Sequence, residues 1–252
     1  MPCFLSRKCP FFHRGDEKRA GDISLDSDKG AVLWVQSFFI GESAEIMANR
    51  LLMIRHGEYE DRYKGCFIGK TDVALSPRGE QQASLLASPL SAVKEASFLC
   101  SPMRRTRKTA QLALGPLDGP LEFDENLREI DFGLWEKMTF EEISGGYPHT
   151  VEQWAAFREN FVFPEGESST GFQKRIKRAA KRIVHDPSRT VVVFTHGGVI
   201  RFLICHFLGI RGKYHLCFDI GTASISEIRL YGGRGVLTRL NDRHHLHFFD
   251  EK

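Results

Sequence analysis

Two short apolar runs constrain this chain more than any other feature. LLMI at 51–54 runs into Arg55-His56-Gly57, and VVVF at 191–194 runs into Thr195-His196-Gly197-Gly198. Apolar runs this short, bounded by turn residues, suit strands buried on both faces. SFLC at 97–100 is a third such run, and it too opens onto a polar loop, Ser101-Pro102-Met103-Arg104-Arg105. Helical patterns lie between and after these runs. LSPRGEQQASLLASPL reads as a helix with Ser76 as N-cap and Pro77 at its first position. SPMRRTRKTAQLAL repeats the Ser-Pro opening at Ser101 and Pro102. SSTGFQKRIKRAAKRIVHD sets Phe172, Ile176, Ala179, Ala180 and Ile183 on one face, its arginines and lysines forming a solvated face. GVIRFLICHFLGI is a buried helix ending at Gly209.

LEFDENLREIDFG reads as a short extended stretch leading into a loop. TFEEIS and TVEQWAAFRENF are helical and are separated by Gly145, Gly146 and Pro148. SISEIRLY and VLTRL form a hairpin around Gly232-Gly233. Strands alternating with helices predict an α/β fold: a three-layer sandwich with a mostly parallel central sheet and helices on both faces.

The first 46 residues differ from the rest. HRGDEKRAGDISLDSDKGA is polar and aperiodic, and AVLWVQSFFIG is the one apolar segment there. Residues 1–46 are therefore expected to be a disordered or loosely docked extension of a domain spanning 47–252, and Met47 reads as a natural start. Cys3, Cys9 and His13 lack a fourth ligand at metal-site spacing. The net charge of +3 does not point to nucleic acid or a membrane surface. No apolar run reaches the ~18–20 residues of a membrane span. Six scattered cysteines favour free thiols in a reducing, cytoplasmic setting.

In a mostly parallel sheet, ligands bind at the carboxyl ends of the strands. Arg55, His56, His196 and the Arg104-Arg105 loop are thereby expected on one rim. Imidazole beside guanidinium suits an anion with tetrahedral oxygens, and phosphate fits best. Helix N-termini following two of these loops favour the same ligand, and Gly57, Gly197 and Gly198 let the backbone approach closely.

LLMIRHGE, FIGKTDVALSPRGEQQA, SPMRRTRKTA, LREIDFGLWE, FPEGES and VVVFTHGGVIR resemble, in that order, the motif series of the histidine phosphatase superfamily. The resemblance covers about residues 50–242 and looks closest to the small phosphatase branch that includes α-ribazole phosphatase. It implies a metal-independent phosphomonoester hydrolase acting on a small phosphorylated metabolite through a phosphohistidine. It further implies that His56 is phosphorylated, and that Arg55, Arg105 and His196 hold the phosphoryl group. Glu129 is implied as the acid, with Gly57, Arg62, Gly69 and Gly197 around the substrate. Arg104 and Asp131 are the neighbouring competitors of Arg105 and Glu129.

No cofactor, metal, nucleic-acid partner or membrane partner is expected, and a homodimer is left open. His244, His245 and His247 have no acidic or cysteine partner at metal-site spacing. Two other readings are a phosphoglycerate-mutase-type phosphomutase and a binding module that has lost catalysis. The chain departs from the family at Arg62, where asparagine is common, and at Lys137, where glycine is common. Both departures bear on substrate class.

Overall fold

The computed structural model describes residues 48–116, 120–156 and 160–250. The expectations for residues 1–46, for a start at Met47, and for Cys3, Cys9 and His13 lie outside them.

A six-stranded sheet runs in the order β3-β2-β4-β1-β5-β6. Its strands are β1 (Arg50–Arg55), β2 (Ala96–Cys100), β3 (Leu121–Phe123), β4 (Thr190–Thr195), β5 (Ile225–Tyr231) and β6 (Arg234–Asp242). The first four are mutually parallel; β5 pairs antiparallel with β1, and β6 antiparallel with β5. The predicted mostly parallel α/β sandwich is therefore what the chain adopts. β4 lies between β1 and β2, and Arg55 stands opposite Thr195. His56 and His196, one residue further on, consequently leave the same rim side by side.

Alternation along the strands builds the two outer layers. Leu51, Met53, Val191 and Val193 pack on one side with α6 (Ser169–Val184) and α7 (Gly197–Leu208). Leu52, Ile54, Val192 and Phe194 pack on the other side, with Leu86, Ala110 and Ala113. These last come from the segment holding α1 (Pro77–Leu85), α2 (Ala87–Leu90) and α3 (Arg104–Leu114). A strand buried on both faces must be apolar at every position, which is why LLMI and VVVF show no polar alternation. All five apolar positions assigned to the buried face of α6 are buried: Phe172, Ile176, Ala179, Ala180 and Ile183.

Local chemistry accounts for the helix ends. Ser76 Oγ accepts from Gly79 N at 3.0 Å, and Pro77 opens α1 as expected. The single helix expected over LSPRGEQQASLLASPL is two, because Pro89 has no N–H for the Leu85 carbonyl. The Ser101-Pro102 start is not realised. α3 begins at Arg104 with Met103 before it, and the Ser101 hydroxyl is committed to His196 at 2.8 Å. The next two helices are α4 (Phe140–Gly146), with a Thr139–Glu142 capping box, and α5 (Pro148–Ala155). The break falls at Tyr147 and Pro148, with both glycines still inside α4. α7 ends on Gly209 at φ 66°, and Gly232 and Gly233 turn the β5–β6 hairpin. A short α8 (His247–Asp250) follows.

Candidate active site

The ends of β1, β4 and β2 deliver His56, His196 and Arg105 to one buried cluster. His56 Nδ1 lies 2.7 Å from the Gly57 carbonyl. A carbonyl can only accept, so Nδ1 carries the proton and Nε2 keeps its lone pair. The His196 ring centroid is 5.2 Å from that of His56. Arg105 Nε donates to His196 Nδ1 at 3.2 Å, so His196 Nε2 carries the proton and gives it to Ser101 Oγ at 2.8 Å. Burial, reinforced by the arginines, holds both imidazoles well below the ordinary histidine value. Both rings are therefore neutral at pH 7, and His56 is a competent nucleophile in that state.

Arg105 is fully buried and is braced from three sides. Besides His196, it donates from Nη1 to Thr71 O and from Nη2 to Gly69 O, each at 2.9 Å. Burial pulls its guanidinium down to about 10. Arg104 is exposed and offers only its backbone N–H, to Asp72 at 2.7 Å. The structure thus separates two adjacent arginines that a local reading leaves in competition. Arg55 donates through Nη1 to Ile220 O, while its buried Nε has no hydrogen-bond partner. Among the described residues, neither Arg55 nor Arg105 has a carboxylate within ion-pair distance. A buried and a half-buried cation with no direct ion pair are costly to hold, an arrangement that suits an incoming anion.

Gly57 backs onto Gly79 of α1, and its N–H donates to Thr109 Oγ1 at 3.1 Å. Gly197 lies against Arg55, where a Cβ would be 3.4 Å from Nε.

Glu129 reaches the same rim from the loop after β3. Its two carboxylate oxygens accept from Ile130 N at 3.0 Å and from Gly198 N, in the first turn of α7, at 2.9 Å. A Cβ on Gly198 would fall 2.3 Å from Glu129 Oε1, so only glycine admits this carboxylate. Its charge acts on both Arg55 and Arg105. Asp131, the alternative acid, is instead paired with Lys70 at 3.0 Å and accepts from Gly133 N at 2.8 Å.

Supports for this cluster come from residues that the sequence reading passed over. Arg175 of α6, read as part of a solvated face, has a side chain only 12% exposed. It donates to the carbonyls of Asn126, Arg128 and Glu129 and pairs with Glu167 through Nε and Nη2, each at 2.8 Å. Arg178 and Arg182, further along α6, hold Asn126, Glu122 and Asp124. One flank of the helix thereby grips the segment that carries Glu129. The signal was faint: Arg175 adjoins Ile176 and stands three places from Phe172, at the edge of the apolar stripe.

Glu136 is the second support. Its carboxylate accepts from Gly69 N, Lys70 N, Thr71 N, Thr71 Oγ1 and Phe132 N at 2.6–3.2 Å. It thus shapes the loop whose carbonyls brace Arg105. Gly69 sits in that loop because a Cβ would fall 1.8 Å from Ile130 O. Lys137, where glycine is common in the family, has φ 67°. The glycine preference there reflects the left-handed backbone, which costs a side chain roughly 1–2 kcal/mol. Arg62 is not gathered into the cluster; it pairs with Glu60 at 2.6 Å and lies over the Tyr63 ring. A cavity of about 570 Å³ opens beside Arg55 and Tyr59, and Lys64 and Arg78 supply its cationic walls. His244, His245 and His247 form no metal-binding group among the described residues.

Comparison with known proteins gives a consistent result. The model of the histidine phosphatase superfamily (branch 1) matches residues 51–243. Phosphoserine phosphatase 1 of Hydrogenobacter thermophilus is 31% identical over 198 residues, covering 78% of this chain and 94% of that protein. The adenosylcobalamin/alpha-ribazole phosphatase of Salmonella typhimurium is 28% identical over 195 residues, covering 77% and 96%. The crystal structure of the alpha-ribazole phosphatase from Shigella flexneri superposes with a TM-score of 0.71 at 27% identity, covering 77% of this chain and 96% of that one.

Proposed function

The chain belongs to branch 1 of the histidine phosphatase superfamily, and from that premise we propose that it hydrolyses small phosphate monoesters through a phosphohistidine on His56. One observation carries this reading most directly: the buried Arg105 and the half-buried Arg55, neither in an ion pair among the described residues, lie beside a neutral imidazole whose Nε2 is free of its proton. The phosphoryl oxygens of a substrate supply the counter-ion. Arg55 and Arg105 bind them, and His196 keeps the Arg105 fork in orientation.

His56 Nε2 attacks phosphorus in line with the ester oxygen, and the P–O bond to the leaving group breaks as the P–N bond forms. An alkoxide is a poor leaving group, so Glu129, which takes up a proton as the anionic substrate settles beside its carboxylate, gives that proton to the departing oxygen. Water then attacks the phosphohistidine and gives a proton to Glu129. Inorganic phosphate leaves, and both His56 and Glu129 return to their starting states. Glycines 57 and 197 belong to the walls of this site, and Arg62 stands outside it, paired with Glu60.

Among the described residues no helix is long and apolar enough to cross a membrane. The four described cysteines are free thiols, which supports a place in the reducing cytoplasm. The decisive assay is phosphate release from a monoester in EDTA, with no bisphosphoglycerate present. Sustained turnover supports the hydrolase. Turnover that requires bisphosphoglycerate identifies a mutase, and restoration of a lost rate by magnesium or zinc refutes the metal-independent scheme.

A further inference from the structure

A cavity of about 210 Å³ lies on the far side of Glu129, walled by six aromatic rings: Phe67, Phe132, Trp154, Phe163, Phe172 and Phe202. Glu129 and Gly198, which are hydrogen-bonded to each other beside the histidine cluster, are part of its lining. Resting on the phosphatase reading above, we propose that this cavity is the leaving-group subsite, and that it selects phosphate monoesters whose alcohol carries an aromatic ring.

The argument starts from Glu129. A proton donor must touch the departing oxygen, so whatever that oxygen is attached to extends from the Glu129 carboxylate into adjoining space. The adjoining space is lined mostly by rings. Edge-to-face contacts fix these walls: Phe67 with Phe132 and Phe132 with Phe163, both at 5.1 Å, and Phe172 with Phe202 at 5.1 Å. An apolar cavity of about 150 Å³ stays dry and accepts a benzene molecule, so this larger one has room for a substituted ring. His215 stacks on Phe202 at 4.5 Å, and burial brings it down to about 4, so it presents a neutral aromatic surface at pH 7. Leu216 stands at the solvent side, 43% exposed.

One cation reaches the same space. Arg201 lines the cavity and donates through Nε to Phe218 O at 2.8 Å. Among the described residues it has no carboxylate within ion-pair distance. An anionic substituent on the ring would complete that site.

The test compares benzyl phosphate with propyl phosphate, whose alkoxides are similarly poor leaving groups, so a rate difference reports the ring. Benzyl phosphate is expected to have a kcat/KM about tenfold or more above that of propyl phosphate, from burial of one ring. Leu216→Trp, which narrows the opening, should lower kcat/KM more for benzyl phosphate than for propyl phosphate and so shrink that advantage. Arg201→Gln gives an independent reading: it should lower kcat/KM more for 4-carboxybenzyl phosphate than for benzyl phosphate. Equal kcat/KM for the benzyl and propyl esters in the wild type overturns the subsite while hydrolysis itself stands. Absence of phosphate release from every ester overturns the hydrolase reading and the subsite with it.

Discussion

Glu136→Gln tests whether the cluster depends on a carboxylate that never touches the phosphate site. The exchange keeps the shape and replaces one oxygen with an NH₂ group. Oε1 accepts from Lys70 N and Phe132 N, Oε2 accepts from Thr71 N and Thr71 Oγ1, and Gly69 N is shared between them. Whichever way the amide turns, its NH₂ faces at least one backbone N–H that cannot accept. An orphaned donor costs about 1–3 kcal/mol, and each remaining bond loses the advantage of a charged acceptor, roughly 1 kcal/mol. The expected total is about 3 kcal/mol, which lowers Tm by roughly 6–12 °C for a domain of this size.

The functional consequence follows from the carbonyls of Gly69 and Thr71, which brace Arg105 at 2.9 Å each. Loosening them should cost kcat/KM about ten- to a hundredfold, which is roughly 1.4–2.7 kcal/mol, and weaken competitive inhibition by inorganic phosphate. Lys70→Ala is the control, because its ion pair with Asp131 lies at the surface, where such pairs contribute little. A Glu136→Gln protein with wild-type Tm and wild-type phosphate inhibition would refute the reasoning.

Arg175→Met should lower kcat/KM more for an alkyl phosphate than for p-nitrophenyl phosphate, because it misplaces the proton donor that only a poor leaving group needs; equal losses would contradict that role. Acid should destabilise the fold. The buried His56 and His196 stay neutral while their unfolded counterparts protonate below about 6.5, so stability present above that pH falls by ~1.4 kcal/mol per unit for each as pH drops toward the folded values. Denaturant titrations from pH 7 to 5 read this, and a flat stability profile would oppose it. In the same window the rate of phosphoenzyme formation should show no acid limb near 6.5. A chain beginning at Met47 should keep its turnover; lower Tm with intact turnover would mark AVLWVQSFFIG as a docked segment, and lost turnover would place the domain boundary earlier.

The fold was legible because its evidence is local. LLMI and VVVF are buried on both faces and show it in composition, and the glycines and prolines that end helices act within a turn of themselves. His56, His196 and Gly197 were legible for the same reason, since each follows directly from a strand end. What was hidden depends on partners distant in the chain. Glu136 organises residues more than sixty positions away, and nothing in FGLWE distinguishes a carboxylate in water from one satisfied by backbone donors. Arg175 was misread because a helical charge pattern looks alike whether it meets solvent or another segment's carbonyls. Ser101 was assigned to a cap by its Ser-Pro context, and the competing pull of His196, 95 residues away, could be seen only once the strands were paired. Spacing from Ser101 favoured Arg105 over Arg104, and burial, which adjacent identical residues cannot reveal in sequence, agrees with that preference.

The most direct test of the central claim is rapid-quench labelling with a ³²P monoester, followed by mapping of the labelled peptide. A phosphohistidine scheme predicts a transient label that is acid-labile and alkali-stable, is confined to His56, and is absent together with turnover in His56→Ala. Turnover that persists in His56→Ala, or a label on another residue, would contradict it.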